Sequence, residues 1–262
     1  MKNKITDSGY WDRYWSGGKI PSYDVTRGLF HSYDKLFTKY YSETACRLGK
    51  KDLRIVDFGC GEGLMLRYFK ERFPGTEVWG IEFSSAFHTA EEVGRQLALE
   101  FNILKRDILA GIPSTLTNHF DIVLSVGLIE HFQDPIKILE IMHGALADGG
   151  CMITIIPSFE GAFNFFWRLC NRENYLKHVP ISRRELRSLH EHLGLSHISI
   201  YALGTPTILG TPARSLAGKI LQFIIVNING RILQRLFPRQ IDLEHGLPLA
   251  PILACAGYHE RV

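Results

Sequence analysis

At 262 residues with 45% hydrophobic content, the chain is long enough for one embellished α/β domain that folds alone. Its net charge of +3 is uneven, because positions 163–240 hold 11 Lys/Arg against 3 Asp/Glu; such a basic surface suits phosphate, anionic lipid or nucleic acid, or is simply solvated. Met1 to Asp12 is too polar for a secretory signal, and Ile220 to Gly230 is too short to span a bilayer. Five singly scattered cysteines (Cys46, Cys60, Cys151, Cys170 and Cys255) read as reduced cytoplasmic thiols, with neither a disulfide framework nor a zinc site.

The chain opens on an aromatic cluster running from Tyr10 and Trp11 to Tyr40 and Tyr41. Residues 1–50 are expected to form a cap, either packed on the core or acting as a lid with Tyr10, Trp11, Tyr14 or Trp15 facing a pocket. Leu53 to Phe58 has the length and composition of a buried parallel strand that delivers Asp57 to its C-terminal edge. Gly59, Gly61 and Gly63 follow at once, alternating with Cys60 and Glu62, so that a ligand can approach main-chain atoms. A helix from Leu64 and a strand Glu77 to Ile81, ending in Glu82, complete a βαβ unit with a nucleoside-type pocket at its strand ends. The dinucleotide fingerprint G-x-G-x-x-G fails because Leu64 stands at its last glycine, and no G-K-[ST] follows to make a phosphate-binding P-loop.

Ser84 is expected to cap a helix reaching about Leu99, followed by a third strand, Phe101 to Leu104, and then Lys105, Arg106 and Asp107. Phe120 to Gly127 is the fourth strand, leading into Glu130-His131 and Asp134-Pro135. A helix is predicted over Ile136 to Leu146, stopped by Gly149-Gly150, and then a strand over Cys151 to Ile156. Phe159 to Val179 is an aromatic and basic insertion. Ser182 and Glu185 form a capping box for a helix to Leu193. Strands at Ser196 to Tyr201 and Ile252 to Tyr258 flank a long insertion, 202–251. Within it, the apolar Ala213 to Phe237 suits three roles: packing on the core, a homodimer interface, or peripheral contact with a membrane surface.

The D-x-G-x-G-x-G run from Asp57 resembles motif I of the class I S-adenosyl-L-methionine (SAM)-dependent methyltransferases. F-D-I-V-x-S with its E-H and D-P resembles motif IV, and L-A-D-G-G resembles the family's L-x-P-G-G with Asp148 in place of proline. These segments agree in order over about 105 residues. The resemblance implies a Rossmann-like, doubly wound α/β fold: a seven-stranded sheet, mostly parallel with an antiparallel last strand, and helices on both faces. It implies a SAM site made by Asp57, Gly59, Cys60, Gly61, Gly63, Phe83 and Ser125, with Glu82 on the ribose, Asp107 on the adenine amino group and Ile108 beside the ring. The chain carries insertions at 158–180, after the fifth strand, where this family usually builds the acceptor pocket, and at 202–251, where it usually has a short hairpin.

Methyl transfer to a small-molecule, sugar or lipid-linked acceptor, at oxygen or nitrogen, is the expected activity in a cytoplasmic protein that can sit at the inner membrane face. His131, after the fourth strand, is the first candidate for a general base, or else an orienting residue; His178 and Tyr175 come next. Some relatives bind a divalent metal through E-x-x-E-H; Gly127 replaces the first Glu here, so no metal is expected. Two alternatives stand beside this reading. An RNA or protein methyltransferase lacks support from any N-P-P-[YF] signature or longer Lys/Arg tract, and nucleic acid is not expected as a partner. A catalytically silent SAM-binding scaffold would keep the same cofactor residues.

Overall fold

Apolar, β-branched runs too short for helices pair side by side, and the two-residue alternation of strands lets both faces of the sheet be buried. In the computed structural model, which describes residues 4–15, 20–26, 28–160, 167–168, 172–204 and 252–260, seven strands make one sheet. They are β1 (Arg54–Phe58), β2 (Glu77–Glu82), β3 (Asn102–Lys105), β4 (Phe120–Val126), β5 (Leu146–Pro157), β6 (Ser196–Leu203) and β7 (Ile252–Tyr258). Their order is β3-β2-β1-β4-β5-β7-β6. β1 to β5 run parallel, and β7 lies antiparallel between β5 and β6. The sheet topology is the one the resemblance implies.

Helices cover both faces: α1 (Ser8–Tyr14), α2 (Gly28–Leu48), α3 (Leu64–Arg72), α4 (Ala86–Leu97), α5 (Pro135–His143), α6 (Arg172–Tyr175) and α7 (Arg183–His192). Tyr33, Leu36, Phe37, Tyr40 and Tyr41 recur at helical spacing along α2 and join Ile122, Ile153 and Ile155 in one core cluster. Ile138, Leu139 and Met142 of α5 and Leu186 of α7 pack on Val123, Met152 and Leu253 in the other. Within the first fifty residues, α2 is therefore a core element, whereas α1 has no buried residue and sits at the sheet's carboxyl edge.

Two sequence expectations shift. The helix expected to reach Leu146 ends at His143, and Gly149-Gly150 lies inside β5 instead of stopping the helix. The β4–β5 register shifts there, between Phe120 and Ile122, and Gly149 takes φ +77°, so the two glycines serve a strand irregularity. The capping position of α4 is Ser85, not Ser84; Ser84 Oγ accepts from the Ala86 amide at 3.4 Å. The capping box of Ser182 and Glu185 is present as expected. The expectations for Ala213 to Phe237 lie outside the described residues, as do Cys170 and most of 158–166.

Candidate active site

The order reversal between β1 and β4 opens a crevice at their carboxyl ends, the place where open α/β sheets bind ligands. Asp57, one residue from the end of β1, is buried, and its Oδ1 has no hydrogen-bond partner. Burial, and then the charge of Glu82, push its carboxyl well above the usual carboxylate range. The turn after it is shaped by positive φ: Gly61 at +52°, and Gly63 at +80° as the left-handed residue that starts α3. Glu82 ties this turn to β2. Its Oε2 accepts from the Gly61 amide at 3.0 Å, and its Oε1 accepts from the Phe83 and Ser84 amides, each at 2.8 Å.

Cys60 is buried, and burial followed by the charges of Asp57 and Glu82 pushes its thiol up, which keeps it neutral. Ser125 Oγ on β4 is buried without a partner. Asp107 accepts from the Leu109 amide at 3.0 Å as the cap of a short 3₁₀ turn beginning at Ile108, and its other oxygen pairs with Lys4 Nζ at 2.5 Å. Lys4 also lies 4.1 Å from the centre of the Phe83 ring. Its segment is strapped across the site by the Ile5 amide, which donates to the His131 carbonyl at 2.9 Å.

Two cavities meet here. The first, about 60 Å³, is lined by Gly59, Glu82, Phe83, Ile108 and the first residues after β4. The second, about 280 Å³, is lined by Tyr10, Tyr33, Glu130, His131, Trp167 and His178 among others. Trp11, Trp15, Val126 and Gly127 line both. Trp15 rests on the glycine turn, where a Cβ on Gly61 would stand 3.0 Å from its ring.

The second cavity holds two histidines with ring centres 4.5 Å apart. His131 Nδ1 donates to the Lys177 carbonyl at 2.9 Å, and its ring meets Trp11 edge-on at 4.8 Å. His178 Nδ1 donates to the Asn174 carbonyl at 2.7 Å. Burial, then His178, holds His131 to about 3, and burial holds His178 to about 4, so both rings are neutral. Glu130 is 0% exposed, neither of its oxygens has a hydrogen-bond partner, and burial pushes its carboxyl up to about 8. Tyr175 packs on Trp167 at 5.7 Å and on Phe159, outside the lining of the cavity.

The two cavities thus bring together Gly59, Glu82, Phe83, Ile108, His131 and His178; Asp57, Cys60, Gly61, Gly63 and Ser125 are buried at the same strand ends without lining either, and Asp107 lines a neighbouring opening with Lys4 and Phe83. Lys4 and Tyr33 were not picked out by sequence reasoning. No motif marks Lys4, while Tyr33 falls on the buried stripe of α2 and reads there as core.

Residues 27–200 match the family model described as a methyltransferase domain. The ubiquinone biosynthesis O-methyltransferase of Psychrobacter cryohalolentis is 28% identical over 122 residues, 44% of this chain and 45% of that protein. The demethylmenaquinone methyltransferase of Thermus thermophilus is 32% identical over 125 residues, 47% of this chain and 56% of that protein. The matched stretch therefore spans about half the length of these relatives. The fold is shared with the crystal structure of the plantazolicin methyltransferase BpumL in complex with a desmethylPZN analog and SAH, at TM-score 0.57 and 19% identity, covering 97% of this chain and 90% of that one.

Proposed function

Because this chain belongs to the methyltransferase domain family, we propose that it moves a methyl group from SAM to an oxygen of a small, largely aromatic acceptor held beneath α1. The observation that carries this reading is the pair of adjoining cavities sharing Trp11, Trp15, Val126 and Gly127. One is lined by Gly59, Glu82, Phe83 and Ile108, at the turn and acid of a nucleoside site, and the other has aromatic walls with Glu130, His131 and His178 among them.

The residues fit the cofactor. Asp57 Oδ1 and Ser125 Oγ are buried acceptors in want of a donor, and the turn at Gly61 leaves main chain open to approach. Glu82, Asp107, Ile108 and Phe83 supply the acids and apolar surface that a ribose and an adenine require. Bound SAM brings a methyl already activated on a sulfonium sulfur, so the protein's part is chiefly placement, which is worth roughly 7 to 11 kcal/mol. Tyr33, Trp11 and Trp167 give flat apolar surface to an acceptor ring. His131 and His178, neutral and fixed through Nδ1, offer Nε2 as hydrogen-bond acceptors for a hydroxyl. A ring held to about 3 is a weak base, so His131 orients the acceptor more than it removes its proton.

The relatives named for ubiquinone biosynthesis support a hydroxylated ring as the acceptor. The test combines calorimetry with S-adenosylhomocysteine and a SAM-turnover assay on phenols, catechols and hydroxyquinones, with sugar-linked and lipid-linked hydroxyls as the comparison arm. Micromolar product binding with turnover confined to the ring hydroxyls is expected. Absent product binding sinks the methyltransferase reading, and turnover only in the comparison arm sinks the aromatic acceptor.

A further inference from the structure

Glu130, His131 and His178 each present a potential ligand atom, and these three atoms lie within 4.8 Å of one another on the wall of the larger cavity. Ligand atoms on a tetrahedral ion at about 2.1 Å stand about 3.4 Å apart, so closure asks a side-chain shift of about 1 to 1.5 Å. The preparation of the ligands is more telling than the distance. Each imidazole gives its Nδ1–H to a backbone carbonyl, Lys177 for His131 and Asn174 for His178, which fixes the tautomer that leaves a lone pair on Nε2. That is the arrangement by which metal-binding histidines are held and made more basic toward the ion.

Glu130 completes the set. It is fully buried, and neither carboxylate oxygen accepts a hydrogen bond. A carboxylate taken from water in that condition is unstable as an anion unless a cation joins it. The bond from the Val179 amide to the Glu130 carbonyl, 2.6 Å, pins the segment that carries His178 against the one that carries Glu130 and His131. Gly127 opposite has no side chain, and a Cβ there would stand 3.7 Å from Glu130 Oε1, so the side toward the cavity stays open.

We propose that Glu130, His131 and His178 bind a divalent transition-metal ion, zinc-like in preference, with its open face toward the acceptor cavity. Two imidazole nitrogens and one carboxylate suit zinc, cobalt or iron better than magnesium or calcium, which select oxygen. The third ligand comes from the insertion after β5, so it is not the contiguous E-x-x-E-H pattern, which Gly127 breaks. Three protein ligands with a free position are the pattern of sites that hold a substrate oxygen. That role, ligation of the acceptor hydroxyl by the ion in place of its direct hydrogen bonds to the two Nε2 atoms, rests on the methyl-transfer reading; the binding of the ion does not.

The full-length chain is stripped with a chelator and titrated with Zn²⁺ by equilibrium dialysis, and separately with Co²⁺, whose visible absorption reports nitrogen and oxygen ligation. One Zn²⁺ per chain at micromolar concentration is expected, weakened at least tenfold in Glu130→Gln and in His178→Gln, with Co²⁺ bands lost in both. Circular dichroism and product binding by calorimetry identify variants that are folded. No stoichiometric Zn²⁺ uptake, or uptake undiminished in the folded variants, overturns the site. Zn²⁺ uptake as expected with no S-adenosylhomocysteine binding leaves the site standing and removes the methyltransferase reading instead.

Discussion

Glu82 holds three backbone amides at once, those of Gly61, Phe83 and Ser84, at 2.8 to 3.0 Å. Hydrogen bonds to a charged acceptor contribute more than neutral ones, and a buried N–H left without a partner costs about 1 to 3 kcal/mol. Glu82→Gln puts an NH₂ where one of those donors points, so calorimetry should show a melting temperature lower by roughly 5 °C and product affinity weaker by at least tenfold. An unchanged melt with unchanged affinity would deny Glu82 its part in shaping the turn. His190 offers a prediction of a different kind. It is buried between the Leu186 carbonyl, which accepts from Nδ1 at 2.9 Å, and the Thr154 hydroxyl, which donates to Nε2 at 3.1 Å. Burial lowers its pKa to about 4 from an ordinary 6.5. The unfolded chain therefore binds the proton first: stability is full above pH 6.5 and falls as pH drops toward 4, by about 3 kcal/mol from this residue. Urea melts from pH 7 to 4.5 should fall less steeply in His190→Gln, and parallel slopes would assign the acid loss to other groups.

Elements differ in how far the sequence discloses them. β1, β2, β4 and β7 are legible because each is a short apolar run bounded by glycine, proline or a charge, and α7 because Ser182 and Glu185 face each other across one turn. Removing that cap by Ser182→Ala should cost about 1 kcal/mol in urea melts while product affinity stays unchanged; a loss of affinity would mean that α7 reaches the site. Gly149-Gly150 misleads, since two glycines after a helical pattern look like a stop signal, and only the pairing with β4 shows that they serve β5. The aromatic N-terminus is legible as dense but not as divided: α2 sends its stripe into the core, while α1 keeps its rings at the crevice. The cofactor acids follow from motif spacing. The meeting of Glu130 and His131 with His178 does not, because it depends on how an insertion folds back on the sheet. Among the described residues of the first fifteen only Thr6 is buried, so deleting residues 1–15 should leave the thermal melt within a few degrees and abolish acceptor turnover. A collapse of the melt would make α1 part of the core.

Across the whole molecule, the two edges of the sheet carry different duties. The carboxyl edge holds the crevice, and the opposite edge is tied by Asp121, 1% exposed, which accepts from Lys50 Nζ at 2.6 Å and from the Arg54 amide at 2.8 Å. Asp121→Ala returns Lys50 to water but strands the Arg54 amide, a cost of about 1 to 3 kcal/mol. Thermal melts should register that loss, while calorimetry with product at a temperature well below the melt should not. Coupled losses in both would mean that strain at one edge reaches the other.

Trp15 lies across the glycine turn with Trp11 stacked beside it, ring centres 6.3 Å apart, and the crevice under them has room for only about 60 Å³. Small-molecule sites usually need roughly 300 Å³ or more, so a nucleoside that fills this crevice has to move an indole. The chain thus carries its own fluorophores at the door. Their emission should change as ligand arrives, and in stopped flow the observed rate should level off with ligand concentration, at the frequency with which the door swings open unaided. A rate that climbs linearly throughout would show that the ligand pushes its way in.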